Sequence, residues 1–161
     1  MQEQETKVKI VSPQTGLTVR LVNSLITFKA TAADTNGIYS LFEIYNPPGE
    51  GMLPHLQRYD DEAFWVLEGT YRFLFGDQEL ELEVGGYAFA PRGTVHGFIN
   101  NGNSTARILS LVTPGGIHER FFAEAGTAAD ESGTELAPPD PADWPRVIKI
   151  AQKYGIEMLL P

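Results

Sequence analysis

The chain contains no cysteine, which excludes disulfides, thiolate metal sites and cysteine nucleophiles. Basic residues are scarce. Twelve Lys and Arg stand against 21 Asp and Glu, a formal net charge of −9. Such an acidic chain has no electrostatic reason to bind nucleic acid or anionic lipid, so no nucleic acid and no membrane is expected among its partners. No apolar run approaches the ~18 residues that a transmembrane helix needs. The opening MQEQETKVKI lacks the apolar stretch of a secretory leader, so a cytoplasmic location is expected. Wholesale disorder is excluded too, because 42% of the residues are hydrophobic and only 20% are charged. At 161 residues the chain suits one domain, and it can bury about 70% of its unfolded surface without covalent staples.

What the chain has in excess is turn formers. Gly (16) and Pro (11) together make up roughly one residue in six, which favours many short strands over long helices. Residues 1–37 read as N-terminal strands, with apolar runs at Leu17–Val22 and Leu25–Phe28 and a turn at Asn36-Gly37. Most strand patterning falls in 38–112. Residues 113–143 look looser. Between Glu119 and Asp143 lie seven acidic residues and one basic one, so a solvated loop is expected there, with a lid as the functional alternative. The segment from Trp144 reads as a C-terminal helix, with Val147, Ile148, Ala151 and Tyr154 at helical spacing and Gly155 as its stop.

Within 38–112, Ile38–Tyr45 reads as a buried strand ended by Pro47-Pro48-Gly49. Ala63–Leu67 and Thr70–Phe75 flank Glu68-Gly69. A two-residue hairpin there pairs Val66 with Tyr71, Phe64 with Phe73 and Glu62 with Phe75, all on one face. Gly76-Asp77 makes the next turn. Glu79–Val84 alternates Leu80, Leu82 and Val84 against three glutamates, the pattern of a half-buried strand. Tyr87–Ala90 is expected to pair back on it. His96–Asn100 and Arg107–Val112 follow. Short antiparallel strands at regular spacing mean a sandwich or barrel, so the fold class is all-β.

Three histidines are present: His55, His96 and His118. The first two sit at strand ends beside turns, where barrel-mouth sites are built. The pairing pattern buries Glu62 among Phe64, Tyr71, Phe73 and Phe75. A lone buried carboxylate is costly, so Glu62 needs a cation, a metal or a hydrogen-bond network. His96 shares a strand face with Phe98 and Asn100, and is available as that partner.

These residues fall into two motifs. Gly49-x5-His55-x-Gln57-x4-Glu62-x6-Gly69 resembles the first cupin motif, usually G-x5-H-x-H-x3–4-E-x6-G. Gly85-x5-Pro91-x-Gly93-x2-His96-x3-Asn100 matches the second cupin motif at every fixed position, 15 residues after the first. The flanking strands and C-terminal helix more loosely resemble small quercetin 2,3-dioxygenase-like cupins.

The resemblance implies a single jelly-roll β-barrel with one divalent transition metal (Fe, Mn, Ni, Co, Cu or Zn) at its mouth. Carried over residue by residue, the ligands are His55, Glu62 and His96, and Gln57 occupies the place of the usual further histidine. Positions 55 and 57 point the same way, so the Gln57 amide oxygen is within reach of the centre as a neutral, hard, weak donor. His55, Glu62 and His96 alone resemble a two-histidine–one-carboxylate triad suited to Fe(II) or Mn(II). The implied activity is a metal-dependent oxygenase acting on a small aromatic or oxygen-rich substrate, with Glu62 as ligand and general base. A non-catalytic small-molecule-binding cupin and a cupin isomerase or epimerase are the alternatives. Phe64, Tyr71, Phe73 and Phe98 are expected in the core, with a part in lining the substrate pocket. His118 is expected at the surface or as a cap, with a pocket role as the alternative, and Asn100 as a backbone-bonding structural residue. Trp65 and Leu67 point outward, as in a homodimer interface.

Overall fold

The computed structural model describes residues 7–13, 15–129 and 143–159. Among these, two antiparallel sheets face each other in a jelly roll. One sheet combines β1 (Thr18–Leu21), β2 (Ser24–Ala30), β3 (Ser40–Asn46), β5 (Asp61–Glu68), β8 (Tyr87–Ala90), β10 (Ala106–Thr113) and β11 (Thr127–Ala128) in the order β11-β1-β2-β3-β10-β5-β8. The other combines β4 (Gly51–Gln57), β6 (Tyr71–Phe75), β7 (Gln78–Leu82), β9 (His96–Asn100) and β12 (Ile156–Met158) in the order β12-β4-β9-β6-β7. From β3 to β10 the chain changes sheet repeatedly, so residues close in sequence face each other across the interior. No helix of the described residues is long and apolar enough to cross a membrane.

The expected hairpin at Glu68-Gly69 does not form. β5 pairs with β8 and β10, whereas β6 pairs with β7 and β9. Glu68-Gly69 is a crossover between sheets. Gly69 turns there at φ +79°, and a Cβ at this position would stand 2.7 Å from the Ala106 Cβ, so the place admits no side chain. Phe64 and Phe73 still meet, with ring centroids 5.3 Å apart, but across the sandwich rather than along a ladder. Tyr87–Ala90 likewise pairs with β5 and not with the preceding strand. The Gly76-Asp77 turn is as expected, closing β6 on β7 with Phe75 opposite Gln78. β7 is a sheet edge, so Leu80 and Val84 are exposed and only Leu82 packs on the core.

Alternation fixes which side chains enter the core. In β5, Glu62, Phe64 and Val66 are buried while Trp65 is half exposed. Phe64, Phe73, Phe98 and Tyr71 are fully or almost fully enclosed, each ring removing apolar area worth roughly 1.5–3 kcal/mol from water. The expected loop after β10 is partly helical. Ile117–Ala125 forms α2 (the short α1 is Ala32–Thr35), and buries Phe121 and Phe122. Phe122 stands edge-on to Phe42 of β3 at 4.9 Å. The acidity of 119–143 thus hides an aromatic pair at the third and fourth positions of that run. Residues 130–142, expected as loop or lid, lie outside the described residues. Helix α3 (Trp144–Lys153) ends where Gly155 adopts φ +70°, and β12 then adds a strand beside β4.

Candidate metal centre

The two sheets bring together the side chains that the motifs separate. β4 supplies His55 and Gln57, β9 supplies His96, and β5 supplies Glu62 from the opposite sheet. His55 stands directly opposite His96 in the β4–β9 ladder, with ring centroids 4.3 Å apart. One ligand atom from each of His55, Glu62 and His96 lies within 4.8 Å of the others. An ion held at ~2.1 Å from each donor draws such atoms to roughly 3–4 Å of one another, so the set fits with a small contraction. All four side chains are at most 5% exposed.

Hydrogen bonds set the state of each donor. His55 Nδ1 lies 2.8 Å from the Leu53 carbonyl, and His96 Nδ1 lies 3.0 Å from the Thr94 carbonyl. A carbonyl only accepts, so both rings donate Nδ1–H and, when neutral, turn a bare Nε2 to the centre. The Gln57 amide is oriented by its other end. Its Nε2 donates to Asp60 Oδ1 at 3.0 Å, which leaves Oε1 facing His55 Nε2 at 3.0 Å. Two lone pairs therefore oppose each other between residues at most 3% exposed. Glu62 repeats the pattern. Ser110 donates to Oε1 at 2.6 Å, and Oε2 faces His96 Nε2 at 3.1 Å.

The charge states sharpen this arrangement. Burial, reinforced by the nearby His96, lowers His55 to about 4, so a proton does not reconcile its Nε2 with the Gln57 oxygen at neutral pH. Burial by itself would raise Glu62. The imidazoles of His96, His118 and His55 outweigh burial whenever they carry protons, and so lower its pKa from the ordinary carboxylate value. An ionised carboxylate, two imidazole nitrogens and an amide oxygen thus converge with their own donors already used. That chemistry fits a divalent cation.

Two further residues complete the surroundings: Asp60, which was not anticipated, and His118, for which a pocket role was the alternative to a surface one. Asp60, 1% exposed, holds Gln57 through Oδ1 and His118 Nδ1 through Oδ2 at 2.7 Å. His118 is not at the surface but 3% exposed, edge-on to Phe122 at 5.5 Å. Burial works against its charged form, but Asp60 raises its pKa. Helix α2 carries this ring inward because Glu119 anchors the helix start, accepting from Ser40 Oγ at 2.7 Å and from the Ala32 amide at 2.9 Å. The i to i+3 spacing of Gln57 and Asp60 across a turn was a usable sequence signal. For His118 and Ser110 there was none.

The aromatic residues divide. Phe64 and Phe75 approach the His96 ring at 5.9 and 6.5 Å. Phe73 and Phe98 pack behind Phe64, and Tyr71 lies deeper, donating its hydroxyl to Asn46 Oδ1 at 2.8 Å. Asn100 donates to the Asn46 and Ser104 carbonyls, a structural role. A groove of about 350 Å³, with Arg72, Leu74, Gly97 and Ile99 among its walls, is lined by none of His55, Gln57, Glu62 and His96. In β6 and β9 these four alternate with Phe73 and His96, and the groove's lining also takes in Met52, Phe98 and Trp144.

Residues 42–112 match the sequence profile of the Cupin domain. The chain is 28% identical over 97 residues to quercetin 2,3-dioxygenase of Bacillus subtilis, covering 60% of this chain and 28% of that protein. It is 29% identical over 91 residues to the tetracenomycin polyketide synthase protein TcmJ of Streptomyces glaucescens, covering 56% and 59%. The chain therefore spans less than two thirds of the length of these curated relatives. Its fold is similar to that of an RmlC-like cupin from Shewanella frigidimarina, with a TM-score of 0.59 at 14% identity over 67% of this chain and 92% of that one.

Proposed function

From the Cupin domain matched over residues 42–112, we propose that the chain is a metal-dependent oxygenase of the quercetin-dioxygenase-like kind. Its substrate is a small aromatic or oxygen-rich molecule and O₂ is the oxidant. The observation that carries this reading is the His55–Gln57 contact, in which two acceptors meet at 3.0 Å while His55 Nδ1–H is held by the Leu53 carbonyl and the Gln57 NH₂ group by Asp60. The likeness to quercetin 2,3-dioxygenase supports the choice of chemistry.

His55, Gln57, Glu62 and His96 hold one divalent transition metal. When bound, such an ion supplies Lewis acidity and an open site for O₂ chemistry. The protein supplies the rest. The Leu53 and Thr94 carbonyls keep both rings in the ligating tautomer. Ser110 pins one oxygen of Glu62, and the other, held ionised, takes a substrate proton as general base. Phe64 and Phe75 beside His96 keep water away and give a flat substrate an apolar wall, with Phe73, Phe98 and Tyr71 behind them. Exclusion of water strengthens every charge interaction in the site.

The working form is a cytoplasmic homodimer. Trp65, Tyr87 and Phe89 are each about half exposed and adjoin on the outer face of β5 and β8, where Trp65 pairs with Tyr87 and Ala63 with Phe89. Leu67 continues this strip, and a second copy covers it.

The test is metal analysis of protein purified without chelator, followed by oxygen uptake with flavonols after reconstitution with Fe, Mn, Ni and Co in turn. One equivalent of metal and uptake with at least one ion are expected. Protein that takes up no stoichiometric metal would be a binding module instead. Loaded protein that consumes no O₂ overturns the oxygenase reading in favour of an isomerase or epimerase.

A further inference from the structure

We propose that Asp60 and His118 are positioning residues that lock the Gln57 amide with its oxygen toward the centre, tuning the site to hard dications such as Mn²⁺ over Zn²⁺. The inference rests on the metal reading above and goes beyond it, because the lock extends to helix α2, outside residues 42–112.

A glutamine amide has two ends of nearly equal size, and only its partners decide which one faces a ligand. Here Gln57 is 1% exposed, so water cannot decide. Asp60 Oδ1 receives the NH₂ group at 3.0 Å. The flipped amide would set its oxygen against that carboxylate and turn N–H groups to the centre, where they would repel a cation. The carboxylate is fixed in turn, since its second oxygen receives His118 Nδ1–H at 2.7 Å. His118 is wedged against Phe121 and Phe122, and α2 is moored through Glu119 to β3 and to the Ala32 amide. The line from helix to strand to amide ends on one oxygen, 3.0 Å from His55 Nε2. An amide oxygen favours oxygen-seeking ions such as Mn²⁺, whereas Zn²⁺ is satisfied by two imidazoles and a carboxylate.

The experiment is calorimetric titration of chelator-treated full chain with Mn²⁺ and with Zn²⁺. In Asp60→Ala, the Mn²⁺ affinity is expected to fall about 10–100-fold, the usual cost of losing an outer-sphere partner, with a smaller fall for Zn²⁺. Asp60→Asn keeps an acceptor for the Gln57 NH₂ and is expected to restore most of the Mn²⁺ affinity. His118→Phe preserves the ring packing on Phe122, so it keeps the test open if Asp60→Ala does not fold, and a Mn²⁺-selective loss is expected there too. In a Gln57→Ala background, none of these changes should alter Mn²⁺ binding further. Equal losses for both ions, or losses that persist without Gln57, would mean that Asp60 and His118 serve stability alone. Wild-type protein that binds neither ion would sink the metal reading itself, a result distinct from variants that bind like the wild type.

Discussion

Ser110→Ala isolates one bond at the centre of the site. Ser110 is fully buried, and its hydroxyl donates to Glu62 Oε1 at 2.6 Å. The acceptor is charged, 5% exposed, and turns its other oxygen to His96. Loss of the hydroxyl leaves Oε1 among apolar neighbours such as Phe64, with no solvent to replace the donor. Hydrogen bonds to charged groups contribute about 1.5–3 kcal/mol net, while the volume removed is a single oxygen atom. The hydrogen-bond loss therefore dominates, and metal-free Ser110→Ala is expected to be about 1.5–3 kcal/mol less stable than wild type. For a domain of this size that lowers Tm by about 3–12 °C. Urea denaturation of chelator-treated protein at neutral pH reads the difference directly. A loss below ~0.5 kcal/mol, the level of an ordinary surface change, would refute the claim that this carboxylate depends on Ser110.

His96→Ala should leave the sheets folded by circular dichroism but remove stoichiometric metal, and unchanged metal content would strike His96 from the ligand set. At alkaline pH the relevant group is Tyr45, which burial and its hydrogen bond to Glu43 push up to about 12 from an ordinary 10. A raised acid contributes stability that is complete below pH 10 and is lost as pH rises from 10 toward 12. The stability gap between wild type and Tyr45→Phe should therefore narrow across that window, and a constant gap would contradict the assignment. Trp65→Asp places a charge in the exposed strip of β5 and β8, and sedimentation should show a dimer becoming a monomer. Wild-type protein that sediments as a monomer would remove the interface.

The two motifs were legible because metal-ligand spacing is a local property. His55 and Gln57 share a strand face through the period of two, and Pro91 and Gly93 shape the turn that leads into His96. That turn is hooked back on the site, with the Gly93 amide on the Gln57 carbonyl at 2.8 Å and Asp61 holding the Arg92 amide at 2.8 Å. Burial of Glu62 with Phe64 and Phe73 was also read correctly, although from a hairpin that does not exist. Alternation sends the same residues inward whether two strands are neighbours in one sheet or opposed in two.

The sequence by itself determined the strand periodicity, the turn positions and which residues form the candidate site, because each depends on residues only a few positions apart. Only the tertiary structure decided which strands pair, that Ser110 holds Glu62, and that His118 reaches Asp60 from a helix 58 positions further along the chain. Those contacts are long-range and are set by which faces the two sheets and α2 must bury together. No local pattern encodes them, and they decide how the Gln57 amide is turned toward the centre.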